Sequence, residues 1–426
     1  MNILLKNTTY IEWDTLDFRT GDLLVEEGPK GNIRWLTDER EVAEASRHEV
    51  IDCSGKLVTK SFASGHHHVY SALARGMPPP PKPPADFREI LKYIWWTLDE
   101  NLDEETIRYS ALATAIAAAK AGTTFVIDHH ASPNHIEGSL DIIAEAFDEV
   151  GISHLLCYEV TDRGGKKRAA KGLRENERYL AKNQGLVGLH ASFTVEPETL
   201  EKAVDLMNQH QTGIHMHLAE DKYDQAHSLQ TYYQQVTQRL NEAGVLDSPK
   251  TILVHGLHLD ARERKMISKK PCWVAQNMES NLKNKVGTFS GKGLGDNIML
   301  GTDGMHSDML RSAKAAFFTG QLHDIINFDS AYQRFRNVHR YLKTNDFAGD
   351  GENNLVVLDY ESPTEVTKEN FTGHFIFGLD ASHVHHVISN GRLLVKDKII
   401  QTIDAPAVLD KAKEQSRRLW KKMGRI

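Results

Sequence analysis

Apolar and polar residues alternate with a period of two through the first 60 residues, in NILLKNTTYIEW, GDLLVEEG, NIRWLTD and HEVIDCSG, with Gly, Asp and Asn at the breaks. Such alternation predicts half-buried strands. The pattern returns at NLVVLDY (354–360) and HHVISNGRLLVKDKII (385–400), where Asn390-Gly391 between apolar runs predicts a type I′ hairpin. Both chain ends are therefore expected to share one small β-sandwich. Between them the pattern changes to short apolar runs separated by amphipathic, charge-rich stretches. The runs are LVTKSFASGHHH (57–68), TTFVIDHH (123–130), HLLCYEVTD (154–162), LVGLHASF (186–193), GIHMHLAE (213–220), TILVHGLH (251–258), CWVAQNME (272–279) and NIMLGTDG (297–304). Eight short strands, most followed by a helical pattern, predict an α/β chain built on a (β/α)₈ barrel. The expected division is sandwich at 1–57, barrel at 58–345, and sandwich again at 346–426 with a terminal helix. A doubly wound sheet fits the alternation too, but its Gly-x-Gly-x-x-Gly fingerprint is missing, since GKGLGD ends in Asp296.

Composition narrows the partners. With 51 Lys+Arg against 58 Asp+Glu the chain is acidic by 7, and no long basic block points to nucleic acid. No run of about 18 apolar residues predicts a membrane span. Cys53, Cys157 and Cys272 are far apart and form no Cys-x-x-Cys, as expected of reduced thiols in a cytosolic protein. The opening MNILLKNTTYIEWD lacks the marks of a signal peptide. These features predict a cytoplasmic protein acting on a small molecule, with homo-oligomerisation left open.

Candidate chemistry lies in the histidines. With 22 of them, roughly one His-x-His pair arises by chance, and three occur, at 66/68, 215/217 and 383/385. Position decides among them. His66 and His68 fall at the end of the first barrel run, His217 at the end of the fifth, His255 near the end of the sixth and Asp303 at the end of the eighth. Barrel chemistry occurs at strand C-termini, and imidazoles with a carboxylate suit a divalent ion such as Zn²⁺. Residues two apart on a strand share a face, so His66 and His68 can bind one ion while His67 faces oppositely, as packing or support. His129, His130, His215, His258 and His306 read as supporting or surface residues, with His130 a candidate for reaching substrate. The 383/385 pair is expected on the sandwich surface. GMPPPPKPPADF places six prolines at 78–84; it is either a stiff surface spacer or a cover over the barrel mouth. The aromatic YIWWTL (93–98) after it is either core or pocket wall.

The combination GHHHVY, HLAE, VHGLH and GTDG, with a sandwich made from both ends, resembles the amidohydrolase superfamily, in the branch of cytosine, guanine and chlorotriazine hydrolases. YSALARGM with the Pro-rich loop, IWWTLDENL, VIDHHASPN and LCYEVTDR most resemble its SsnA-like aminohydrolases. The resemblance implies that His66, His68, His217 and Asp303 hold the metal, that Glu220 shuttles protons, that His255 and Asp303 act on the water, and that His190 faces substrate. It implies one ion, zinc or alternatively ferrous iron, because the fourth strand ends without the lysine that bridges two. The reaction implied is deamination of a small heterocyclic or amidine-like amine. A cyclic amide or halide hydrolase of the same superfamily and a non-catalytic barrel are the alternatives. A deaminase of the Pro-Cys-x-x-Cys type is disfavoured, because Ala275 stands where the second Cys should be. Lys60-Ser61 replaces the Pro-Gly usual in the superfamily before the first strand's end.

Overall fold

A computed structural model describes residues 2–304 and 306–426. Its centre is a barrel of parallel strands: Phe62–His68, Thr123–Asp128, Ser153–Leu155, Val187–Ala191, Ile214–Leu218, Ile252–His255, Trp273–Gln276 and Ile298–Leu300, the last continued by Asp303–Gly304. The first three strands and the last five form two ladders. Single bridges at Leu156–Gly185 and Val160–Leu189 join them on one side, and pairing of Asp303–Gly304 with His67 and His68 joins them on the other. The barrel is thus closed, and its strand C-termini converge.

The interior is filled from the N-terminal end upward. Ala63, Phe125, Ile127, Leu155, Ile252, Val254 and Met299 pack with Val338, Tyr341 and Leu342 of the helix Phe328–Thr344, which closes that end. Tyr341 Oη donates to Lys250 O at 2.8 Å, fixing the plug to the base of the sixth strand. Apolar filling stops below the strand ends, where polar side chains begin.

Both chain ends enter a second sheet of nine strands. Ile3–Ile11 pairs through its first half with Glu49–Asp52 and through its second half with Leu57–Lys60, and on its other side pairs with Phe18–Val25 with a register shift between Leu5 and Thr8. Leu57–Lys60 pairs in turn with Leu355–Leu358, and Val384–Ser389 follows. This sheet curls around its own core of Ile3, Leu5, Leu23, Val25, Val58, Val357 and Ile388. Asn390 (φ 50) and Gly391 (φ 71) both take positive φ at the hairpin, as a type I′ turn requires. The run 57–68, expected as one barrel strand, divides at Ser61: its first four residues belong to the end sheet and Phe62–His68 to the barrel. The terminal helix Ala405–Lys422 lies against the barrel helix Glu104–Lys120. Trp420 Nε1 donates to Leu73 O at 2.9 Å, and Arg418 and Lys422 both pair with Asp103. Among the described residues no helix is long and apolar enough to cross a membrane.

The division at Ser61 is held by buried charge. Lys60 is 1% exposed; its ammonium donates to Asp350 O at 3.0 Å and Gly351 O at 2.9 Å and lies 3.4 Å from Asp350 Oδ1. Protein groups take the place of water around this charge: His339 Nδ1 sits 2.8 Å from Asp350 Oδ2, and Arg336 donates to Lys60 O at 3.0 Å and Ser61 O at 2.9 Å. Burial alone would raise the Asp350 carboxyl, but His339 and Lys60 outweigh it and hold the group below its ordinary value. A depressed folded pKa contributes stability above the unfolded value, about 3.9 for Asp, and loses it as pH falls through the folded one. Asp350→Asn leaves the Lys60 charge buried and unpaired, and should cost about 3 to 5 kcal/mol at pH 7. The check is the thermal midpoint of variant and parent at pH 7 and pH 3, where the gap should narrow at the acid end.

Candidate functional site

At the C-terminal ends of the barrel strands the ring nitrogens of His66, His68 and His217 and a carboxylate oxygen of Asp303 lie within 4.8 Å of one another. His66 Nε2 is 3.0 Å and His68 Nε2 3.3 Å from Asp303 Oδ1, and His68 Nε2 is 3.1 Å from His217 Nε2. All four residues are buried. The strands supply them in the expected way, because residues two apart in Phe62–His68 turn to the same face. His67 turns to the other, with Nδ1 2.9 Å from Thr302 Oγ1.

Backbone carbonyls decide which nitrogen of each ring is bare. A carbonyl only accepts, so His68 Nδ1, 2.7 Å from His129 O, carries its ring's proton, and so does His217 Nδ1, 2.9 Å from His190 O. Their Nε2 atoms are left as lone pairs. His66 reaches the same state through a relay: Nδ1 lies 2.9 Å from His215 Nε2, His215 Nδ1 lies 3.7 Å from Cys157 Sγ, and that thiol donates to Asp128 O at 3.4 Å. Burial drives the His66, His215 and His217 imidazoles well below their ordinary pKa, so all three are neutral. Three bare nitrogens and one carboxylate oxygen form a donor set that fits Zn²⁺.

His255 is protonated the other way round. Asn281 Nδ2 donates to its Nδ1 at 2.8 Å, so the ring proton sits on Nε2, 3.5 Å from Glu220 Oε2. His255 is therefore a hydrogen-bond donor toward the cavity. Burial first, and the Asp303 charge second, push the Glu220 carboxyl well above its ordinary pKa. His255 (φ 72) and Asp303 (φ 60) both have left-handed backbone, which is costly outside glycine and concentrates at functional sites. Gly301 beside them has no room for a side chain, since a Cβ there would lie 2.4 Å from Asn277 Oδ1 and 2.7 Å from His66 O.

His68, His217, Glu220, His255 and Asp303 line a cavity of about 260 Å³, with His190, Glu159 and Asp99 on another wall and Glu279, His306 and Arg311 at the rim. Phe87, Leu91, Trp95 and Trp96 cover it. They belong to a helical segment, Phe87–Ile90, Leu91–Trp95 and Trp96–Asp99, whose middle turn is a π-helix. The cover is therefore this segment, and the Pro-rich loop before it contributes no lining residue. Trp95 and Trp96 are pocket wall, each under a cation: Lys283 Nζ lies 4.3 Å above Trp95 and the Arg163 guanidinium 4.8 Å above Trp96.

His190 lines the cavity as expected, but His130 does not: it is buried behind the wall, with Nε2 2.9 Å from Ser132 Oγ. His306 pairs with Glu279 at 2.8 Å on the rim. His258 turns away from the cavity, its Nε2 donating to Val286 O at 2.7 Å. Glu159 and Asp99 join the wall without having been expected there; the only sequence signal for either is an acidic residue interrupting an apolar run. Burial pushes the Asp99 carboxyl up to about 8, with Arg163 2.7 Å away opposing it.

Residues 57–333 match the model of the amidohydrolase family. A 5'-deoxyadenosine deaminase of Methanopyrus kandleri is 27% identical over 395 residues, covering 85% of this chain and 86% of that protein. A 5-methylthioadenosine/S-adenosylhomocysteine deaminase of Thermococcus kodakarensis is 26% identical over 423 residues, covering 93% and 94%. Among solved structures, an adenosine deaminase from Xanthomonas campestris with bound zinc superposes with a TM-score of 0.81 at 18% identity, over 98% of each chain. The closed barrel, the sheet shared by the chain ends and the matched family model together assign this chain to the amidohydrolase family.

Proposed function

We propose that this chain is a zinc-dependent aminohydrolase that removes the exocyclic amine of a small heterocycle of the aminopurine type. The observation that carries the reading is the opposite protonation of neighbouring rings: His66, His68 and His217 present lone pairs, whereas His255 presents N–H. The names of the relatives support an adenine-type amine.

His66, His68, His217 and Asp303 would hold one divalent ion, zinc or alternatively ferrous iron. The fourth strand, Val187–Ala191, offers no lysine to bridge a second. When bound, such an ion supplies hydroxide near neutral pH by lowering the pKa of water from 15.7 to about 7. The chain's own groups manage the protons. Asp303 accepts one from the attacking water, and Glu220 delivers its own to the ring nitrogen beside the carbon attacked. His255 Nε2–H donates to the charge that develops there. Glu220 then takes back the proton of the new hydroxyl, Asp303 passes its proton to the leaving nitrogen, and the C–N bond breaks. The products are a ring carbonyl and ammonia, with both carboxyls restored.

Ammonia release from a panel of amino-purines, pyrimidines and triazines tests the reaction, and no release from any zinc-loaded sample would reject it. Elemental analysis should give about one ion per chain, retained in His67→Ala and lost in His66→Ala and His68→Ala. Glu220→Gln should keep most of the ion and lose about two to four orders of magnitude in turnover, whereas Asp303→Asn should lose ion and activity together. Parental turnover in Glu220→Gln would remove Glu220 from the mechanism.

A further inference from the structure

One wall of the cavity has two acceptors facing each other with no donor between them. Glu159 is 4% exposed. Its Oε2 is 3.2 Å from His129 Nδ1, while Oε1 faces His190 Nε2 across 4.0 Å. The His190 nitrogen on that side is bare. Thr194 Oγ1 gives its one proton to Ala191 O at 3.1 Å, so it must accept from His190 Nδ1 at 2.6 Å, and the ring proton is there. A separation of 4.0 Å is too long for a hydrogen bond but lets one atom sit about 2.9 Å from each acceptor. A hydroxyl has one hydrogen and leaves one acceptor unpaired. A nitrogen with two hydrogens satisfies both.

We propose that Glu159 is a specificity-determining residue, which with His190 selects substrates carrying a second, non-reacting amino nitrogen. The same carboxylate lies within 4.8 Å of ring nitrogens of His68 and His217, so this amino nitrogen belongs to the ring that is attacked, across a ring nitrogen from the carbon attacked, and not to a distant tail. The substrate class is a heterocycle with two amino groups, one hydrolysed and one held. This rests on the aminohydrolase reading of the same site.

The test uses the zinc-loaded full chain in the Glu220→Gln background, where turnover is slowed by about two to four orders of magnitude, and two probes that differ by one amino group, 2,6-diaminopurine and 6-aminopurine. Dissociation constants are read from quenching of tryptophan fluorescence, and zinc content is measured on the same samples. The diamino probe should bind about ten- to hundredfold more tightly, the size of a hydrogen bond to a charged group. Adding Glu159→Gln should bring the ratio to near one with zinc retained. Should that variant not fold, Glu159→Asp, which keeps the charge but withdraws it, should reduce the ratio at least threefold. Equal affinities in the parent, a ratio unmoved by either substitution, or loss of zinc on Glu159→Gln would each overturn the proposal. Absence of ammonia release with the binding ratio intact would instead reject the aminohydrolase reading and leave the selectivity of Glu159 standing.

Discussion

A neutral imidazole has two nitrogens and one proton, and the site depends on where each proton is pinned. Backbone carbonyls at the ends of neighbouring strands do most of the pinning: His129 O for His68, His190 O for His217 and His215 O for His129. Those carbonyls are placed by barrel register, so the fold itself sets which nitrogens are bare. This is why the ligand set and its orienting shell cannot be separated, as holds for imidazole sites in general. The left-handed backbone at His255 and Asp303 adds a second constraint, because each turns its side chain over the cavity just where its strand ends.

Much of this was legible in the sequence because it follows a period. Alternation located the end sheet, the recurring apolar runs located the barrel, and spacing by two separated His66 and His68 from His67. What depends on packing between strands was not legible. His215 and His217 share a face and look equivalent in the sequence, yet His215 lies one layer deeper, beneath His66. His130 sits at a strand end like the others, but its ring is drawn to Ser132. Glu159 acquires its meaning only from the gap to His190, which no spacing along one chain segment encodes. The Pro-rich stretch, by composition either a spacer or a cover, contributes nothing to the cavity lining, whereas the helical segment after it does.

Lys60-Ser61, where the resemblance leads to an expectation of Pro-Gly, has a physical account. The chain must leave the end sheet and enter the barrel within one residue. Here the turn is held by Lys60 and Arg336, whose charged groups are satisfied by carbonyls and by Asp350. A buried pair of this kind is costly to assemble and costly to break, so it fixes geometry more than it adds stability.

The shared sheet also sets an order of assembly. Leu57–Lys60 is flanked on one side by Ile3–Ile11 and on the other by Leu355–Leu358. During synthesis the first neighbour is present early, but the second emerges only after the whole barrel sequence. Until then the strand that leads directly into His66 keeps an open edge, and such edges are sites of mispairing in slow, non-local folds. The sheet that brings the chain ends together therefore makes the final strands responsible for closing what the first strands began.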